Sequence, residues 1–446
     1  MIHIGGNNCD IKIFTDNIEE EALSTLYRMA ESKAYRNKKI RIMPDVHQGK
    51  GCVIGFSCPI DIENDFISPE VVGCDLGCTV SAIFFDKAVP EEKIAELEHK
   101  IRKTIPFGKN VNDKSKVDEK LIIRRFNEAQ NKLCSHYPIF SDYRINFRND
   151  ADLKNWVDKF HMDYGLFMKS IGSVGSGNHY LEYDVSDDKY CICVHCGSRN
   201  LGLKVFNYWN KIANSMTISK DEKRMIIEIA KSKNTDKNKL NSEIKAAREE
   251  YLSKRIPRYL GGKHLMGYLV DVLLAQEYSR LNHEVILTEV SEIYSKCCPN
   301  GAKVVDEIFT THNYVDYDLN SSTSHPMIRK GAIRAYVGER VIIPFNMKDG
   351  ISICEGKSNE DWNYTAPHGC GRLYSRSKAK QIFNANDFKA EMQSAGVYTT
   401  TADSTTVDEC PSSYKPRDEI VSLIEPTVKV LFYMHPRMNI KASECF

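Results

Sequence analysis

Asp75-Leu76-Gly77-Cys78 constrains this chain more than any other stretch, because four histidines far downstream complete it. The carboxylate and the thiol stand three positions apart, after the apolar pair Val71-Val72. A strand ending in a Gly-rich turn would point both at one cavity. His179, His195, His312 and His368 each sit in a Gly- or Asn-rich stretch that reads as turn. A fold that gathers these turns can hold two metal ions and leave one imidazole free to attack phosphorus.

The 446 residues, 42% of them hydrophobic, allow a large core and, on length alone, two or three domains. No apolar run approaches the ~20 residues of a membrane span. The stretch Met1-Ile2-His3-Ile4-Gly5-Gly6 lacks a basic region followed by an apolar one. No membrane association is expected, and the expected location is the cytoplasm. Fifteen scattered cysteines argue against a disulfide framework and for a reducing compartment, where thiols serve as ligands. With 61 basic and 60 acidic residues the formal charge is +1, so any nucleic-acid surface must be a local patch. Lys33–Arg41 and Lys254–Arg258 are candidate phosphate contacts, with a solvated face as the competing reading of each.

The pattern predicts an α+β fold. Asp16–Lys33 has the spacing of an amphipathic helix. Ile40–Met43, Cys52–Phe56, Val80–Phe85, Tyr180–Tyr183, Tyr190–Val194, Val341–Pro344 and Ile351–Cys354 read as strands. Pro90–Thr104 and Ser375–Ala385 read as helices, and Leu265–Gln276 as a more buried one. Ser219–Lys254, dense in Lys, Glu, Arg and Asn, predicts two solvated helices. It is read as part of a helical insertion, 203–262, within one mixed catalytic unit spanning 1–446.

Each candidate residue has a plainer reading. Cys78 alone suits a buried structural thiol; the histidines favour a ligand. Gly172–His179 ends in Asn178-His179 and offers N–H donors to phosphate, yet lacks the Gly-Lys-Ser/Thr of a P-loop. Ser198 and Arg199, after His195, are candidates to hold an anion. Cys191, Cys193 and Cys196 lack paired Cys-x-x-Cys spacing and read as core or loop thiols. His312 gains weight only from the others. His368, between Pro367 and Gly369, suits a nucleophile with Arg372 and Arg376 close by to stabilise charge. Asp45 and His47 read as partners that orient a metal-bound imidazole.

The stretches MPDVHQGKG (43–51), VVGCDLGC (71–78), GSVGSGNHYLE (172–182), VHCGSRNLG (194–202), HNY (312–314), RKGAIRA (329–335), WNYTAPHGCGR (362–372), ECPSSYK (409–415) and NIKA (439–442) run in one order over nearly the whole chain. On them the chain resembles the RtcB family of RNA ligases, which join a 5′-hydroxyl end to a 3′-phosphate or 2′,3′-cyclic phosphate end in splicing or repair. The resemblance implies two manganese ions bridged by Cys78, one completed by Asp75 and His179, the other by His195 and His312. Thiolate ligation by itself points to zinc; manganese comes from the resemblance. It implies that His368 attacks the α-phosphorus of GTP to form a histidine–GMP adduct, whose GMP then activates the RNA 3′-phosphate. Asn178, Glu182, Asn346, Gly371, Tyr414 and Lys441 match positions around the nucleotide. RNA is the implied partner, an archease-type activator a candidate one, and a monomer the expected state. Against the family's usual Pro-Gly-Ser-Met this chain has Pro344-Phe345-Asn346-Met347, and a second serine beside the base falls on Ile351, next to Ser352. A two-metal phosphodiesterase and a non-catalytic RNA-binding protein are the alternatives.

Overall fold

The computed structural model describes residues 1–6, 9–215, 220–233, 240–247, 258–318 and 326–444. Its strands are β1 (Ile2–Gly5), β2 (Cys9–Ile13), β3 (Lys38–His47), β4 (Ile54–Pro59), β5 (Thr79–Phe85), β6 (Tyr180–Ser186), β7 (Lys189–Cys196), β8 (Val304–Thr311), β9 (Asn313–Asp316), β10 (Met327–Lys330), β11 (Ala332–Arg334), β12 (Arg340–Pro344), β13 (Ile351–Gly356), β14 (Thr365–Pro367) and β15 (Val428–Lys441). One sheet has the order β1-β2-β3-β4-β10-β9 and a second β12-β13-β15-β6-β7-β5-β8, with β11-β14 as a separate pair. The fold is α+β.

Apolar side chains assign the layers. Ile11, Ile40, Ile42 and Phe56 of the first sheet share a core with Trp156, Leu269 and Tyr278 from helices. Leu181, Ile192 and Val194 of the second sheet pack on Leu97 and Ile101 of the helix Ile94–Thr104 and on Ile286 and Val290 of the helix Gly262–Cys297. Each such side chain stabilises the fold by roughly 1.5–3 kcal/mol. The 36-residue helix Gly262–Cys297 thus runs through both cores. It also buries Asp271, Ser279, Asn282 and His283. Such groups need partners. Asp271 accepts from the indoles of Trp156 (2.8 Å) and Trp209 (2.7 Å) and from Lys159 (2.6 Å). The other three hold site loops.

The expected strand before Asp75 is not there. Val71 ends a single 3-10 turn, Pro69–Val71, capped by the Ser68 hydroxyl. The strand follows instead, as β5, so Asp75 and Cys78 sit on the turn that enters it. The helix expected over Asp16–Lys33 is confined to Glu20–Ala30. Ser375–Ala385 divides into Arg376–Ile382 and the start of Ala385–Ser394, because Asn384 caps the second helix. Of the expected insertion, 216–219, 234–239 and 248–257 lie outside the described residues. Residue 203 falls within the helix Arg199–Asn214, which buries Val205, Phe206 and Trp209. Among the described residues, no helix is long and apolar enough to cross a membrane.

Candidate active site and metal centre

Strand ends deliver the ligands. β5, β6, β7 and β8 are adjacent antiparallel strands, with Thr79 opposite Cys196 and Thr311, and Tyr180 opposite His195. That register places Cys78, His179, His195 and His312 at one edge of the sheet. Cys78 Sγ lies 3.3 Å from His179 Nε2 and 3.2 Å from His195 Nε2. His195 Nε2 and His312 Nε2 are 3.2 Å apart, and Asp75 Oδ2 is 2.9 Å from His179 Nε2. The donors form two groups, Asp75-Cys78-His179 and Cys78-His195-His312, sharing the sulfur, with the atoms of each group within 4.8 Å of one another. The Asp75 carboxylate lies so close to Gly197 that a Cβ there would stand 2.3 Å from its Oδ1.

The electrostatics favour bound cations. Burial pushes the Cys78 thiol well above its ordinary value, and Asp75 adds to that. Burial likewise drives His195 and His312 well below theirs, with neighbouring histidines adding repulsion. Burial raises Asp75, but His179 beside it leaves the carboxyl below its ordinary value. Ring nitrogens of His179 and His195 crowd a buried thiol, and the Nδ1 atoms of His179 and His312 are buried without a partner. Such an array is satisfied by cations, which also lower the thiol's pKa. The donor set therefore fits a pair of divalent ions.

The long helix fixes the ligand loops. Ser279 donates to Gly77 O (2.6 Å), and Gln276 bonds both N and O of Val315. Asn282 Oδ1 accepts from the N–H groups of Gly172 (2.7 Å) and Ser173 (3.2 Å), while its Nδ2 donates to Ser173 O and Gly197 O. His283 bridges Ser81 Oγ and Cys196 O. These residues were not singled out in the sequence, where they lie in a predicted buried helix or beyond its end.

His368 follows β14 and stands beside the cluster, its ring centroid 4.9 Å from that of His312. Asp45 Oδ2 lies 2.7 Å from His368 Nδ1 and also accepts from its backbone N–H. Asp45 was expected to orient a metal-bound imidazole; it orients His368 instead. The two chain segments touch so closely that a Cβ on Gly371, at φ +74°, would meet Asp45 O at 2.2 Å. Lys415 steadies Asp45 by donating to the carbonyls of Asn17, Pro44 and Val46. His47 turns its Nδ1–H to Asp45 O, and burial lowers it to about 4 despite that bond.

A cavity of about 470 Å³ opens beside these groups. Asn178, Glu182, Asn346, His368, Gly371, Tyr414 and Lys441 all line it, as does His195. Asn346 is occupied locally, accepting from the N–H groups of Lys348 and Asp349 and donating to Asp349 Oδ2 (2.7 Å). Ile351 and Ser352 are fully buried and are not among its lining residues. Glu409 is the polar hub. Tyr414 donates to it (2.5 Å), Lys441 lies at 3.4 Å, and Arg372 and Arg376 pair with it. These cations hold its carboxyl well below the ordinary range against the pull of burial, which is the largest influence. The two arginines are therefore engaged, not free at the cavity wall. The Asp408-Glu409 pair before the PSSYK stretch was the available signal. Ser198 and Arg199, expected at an anion, are structural: Ser198 donates to Leu76 O (2.5 Å) and Arg199 to Ser173 Oγ and Gly108 O. Cys191, Cys193 and Cys196 are buried and free.

Comparison with known proteins places the chain in a family. RNA-splicing ligase RtcB1 of Escherichia coli is 26% identical over 97% of this chain and 98% of its own length. RNA-splicing ligase RtcB of Escherichia coli K12 gives the same figures. tRNA-splicing ligase RtcB of Aeropyrum pernix is 26% identical over 86% of this chain and 83% of its own. The family described as tRNA-splicing ligase RtcB matches residues 26–442, which include every ligand and cavity residue named above, and this chain belongs to the RtcB family.

Proposed function

We propose that this chain is an RNA ligase that uses GTP and manganese to join RNA 3′-phosphate or 2′,3′-cyclic phosphate ends to 5′-hydroxyl ends. Membership of the family supports RNA ligation. The observation that carries the chemistry is the Asp45–His368 pair at the cavity wall. A carboxylate only accepts, so Nδ1 of His368 bears a proton, and in the neutral ring that leaves the lone pair on Nε2. That is the form a nucleophile needs.

In the proposed steps each residue takes the role that its match to the family implies. Glu182, Tyr414 and Lys441 hold the guanine, and Asn178 the phosphates. His368 Nε2 bonds to the α-phosphorus of GTP while the bond to the β-phosphate oxygen breaks, releasing pyrophosphate. Asp45 stabilises the positive ring that results. An oxygen of the RNA 3′-phosphate then takes the GMP, breaking the N–P bond and restoring neutral His368. The 5′-hydroxyl attacks the activated 3′-phosphorus, loses its proton and expels GMP. A cyclic phosphate is first opened by water. Two manganese ions, held by Asp75-Cys78-His179 and Cys78-His195-His312, would supply Lewis acidity to the phosphoryl groups.

Incubation with Mn²⁺ and GTP labelled at the α-phosphate tests this. Acid-labile label on the protein is expected, lost in His368→Ala and Cys78→Ala. His368→Ala should still join RNA that already carries a 3′-guanylyl cap. Joining of uncapped ends by that variant rejects the nucleophile, and joining without label in the intact protein rejects the adduct.

A further inference from the structure

A second carboxylate lies behind Glu182. Asp184 follows two residues later on β6, on the same face of the strand, and is fully buried. Its Oδ1 has no partner, and its Oδ2 has the Cys191 thiol at 4.0 Å. Its carboxyl meets that of Glu182, whose other flank takes an N–H from Asn439 on β15.

The groups facing this pair offer little counter-charge. Tyr180 on β6 and Cys191 and Cys193 on β7 are held neutral by burial, and the two carboxyls oppose their ionisation further. Lys441 on β15 is the nearby cation, and it is shared with Glu409. Two carboxylates in contact inside a protein do not both ionise. One proton therefore stays on the pair. Asp184, which does not line the cavity as Glu182 does, is the member that keeps it, because the acceptor it meets is the Glu182 carboxylate.

We infer that Asp184 is a positioning residue for base recognition: its protonated carboxyl donates to Glu182 and presents that carboxylate, as an acceptor only, to the donor edge of a purine. Guanine carries adjacent N–H donors on one edge, and adenine does not. The inference rests on the reading of the cavity as a GTP site. Burial pushes Glu182 above its ordinary value and, with the charge of Glu182 added, Asp184 well above its own. The sign is then fixed. At high pH Glu182 is ionised and accepts; as pH falls through its raised pKa it is protonated, at a higher pH than an ordinary carboxyl, and affinity for GTP drops.

The test compares the full chain with Asp184→Asn and Asp184→Leu, measuring the rate of protein labelling against GTP concentration and pH with Mn²⁺ present. Asp184→Leu removes a hydrogen bond to a charged group, so KM for GTP should rise about tenfold with the maximal rate within about twofold. Its acid-side loss should move to higher pH by about one unit. Asp184→Asn keeps a donor and should stay near the intact protein. Equal KM and equal pH midpoints in all three overturn the inference, as does Asn behaving like Leu. Infrared spectra keep the test independent of how well Asp184→Leu folds. A protonated-carboxyl band at neutral pH should be present in the intact protein and absent from Asp184→Asn; its absence from the intact protein overturns the inference. Binding of a fluorescent GTP analogue to His368→Ala separates this inference from the adduct. Dependence of that binding on residue 184 without any labelling rejects the adduct alone. Labelling without that dependence rejects this inference alone, and no binding at all rejects both.

Discussion

Asp45 and His368 stand 323 positions apart, yet their contact decides which ring nitrogen can act. Asp45→Asn keeps the shape and removes the charge. It should slow labelling by about 10²–10⁴-fold with KM for GTP little changed, as measured in single-turnover experiments. An equal loss in KM would instead mean that Asp45 shapes the cavity. The contact was only half legible. MPDVH marked the acid as an orienting group, but nothing local says which imidazole it serves, since that depends on where β3 and β14 meet. The ligands were easier, because each carries its own chemistry: a thiol, a carboxylate and imidazoles in turns admit few other readings when they occur together.

At the level of elements, one helix does most to hold the site. Gln276, Ser279, Asn282 and His283 occupy successive turns of Gly262–Cys297 and bond the backbone of three loops beside the ligands, at Gly77, Gly172-Ser173 and Gly197, and of β7 and β9. Asn282→Ala would leave four buried backbone groups without that partner. It should cost about 3 kcal/mol by denaturant titration and weaken Mn²⁺ binding, although no ligand is altered. Stability within about 0.5 kcal/mol of the intact protein would show that the loops hold themselves. Periodicity revealed only the first part of this helix, Leu265–Gln276. Beyond it the helix keeps a solvent face, with Arg280, Thr288, Glu292 and Lys296 exposed, but Ser279, Asn282 and His283 are polar residues on the buried face and interrupt the apolar stripe. The same limit explains Val71-Val72. A short apolar run fits a strand or a buried turn, and here Ser68 and Pro69 set a turn.

Across the whole molecule, the two metal groups join β5, β6, β7 and β8 through side chains contributed between residues 75 and 312. Cations that bind only this assembled arrangement stabilise it by mass action, about 2.7 kcal/mol at a hundred times their dissociation constant. Chelation should therefore lower the thermal midpoint, Mn²⁺ should restore it, and Cys78→Ala should abolish the response. An unchanged midpoint on chelation would reject a structural part for the ions. The α+β class was readable from alternating strand and helix patterns, but strand order was not, because pairing partners lie hundreds of residues apart. That order has a consequence during synthesis. β15, the last strand of the seven-stranded sheet to be made, sits in its interior between β13 and β6. While the ribosome has yet to release residues 428–441, the nascent polypeptide leaves β6 without one neighbour and lacks Lys441 altogether. The cavity that Lys441 lines thus stays incomplete until residues 428–441 have been made, so a chain that still lacks them presents no finished pocket.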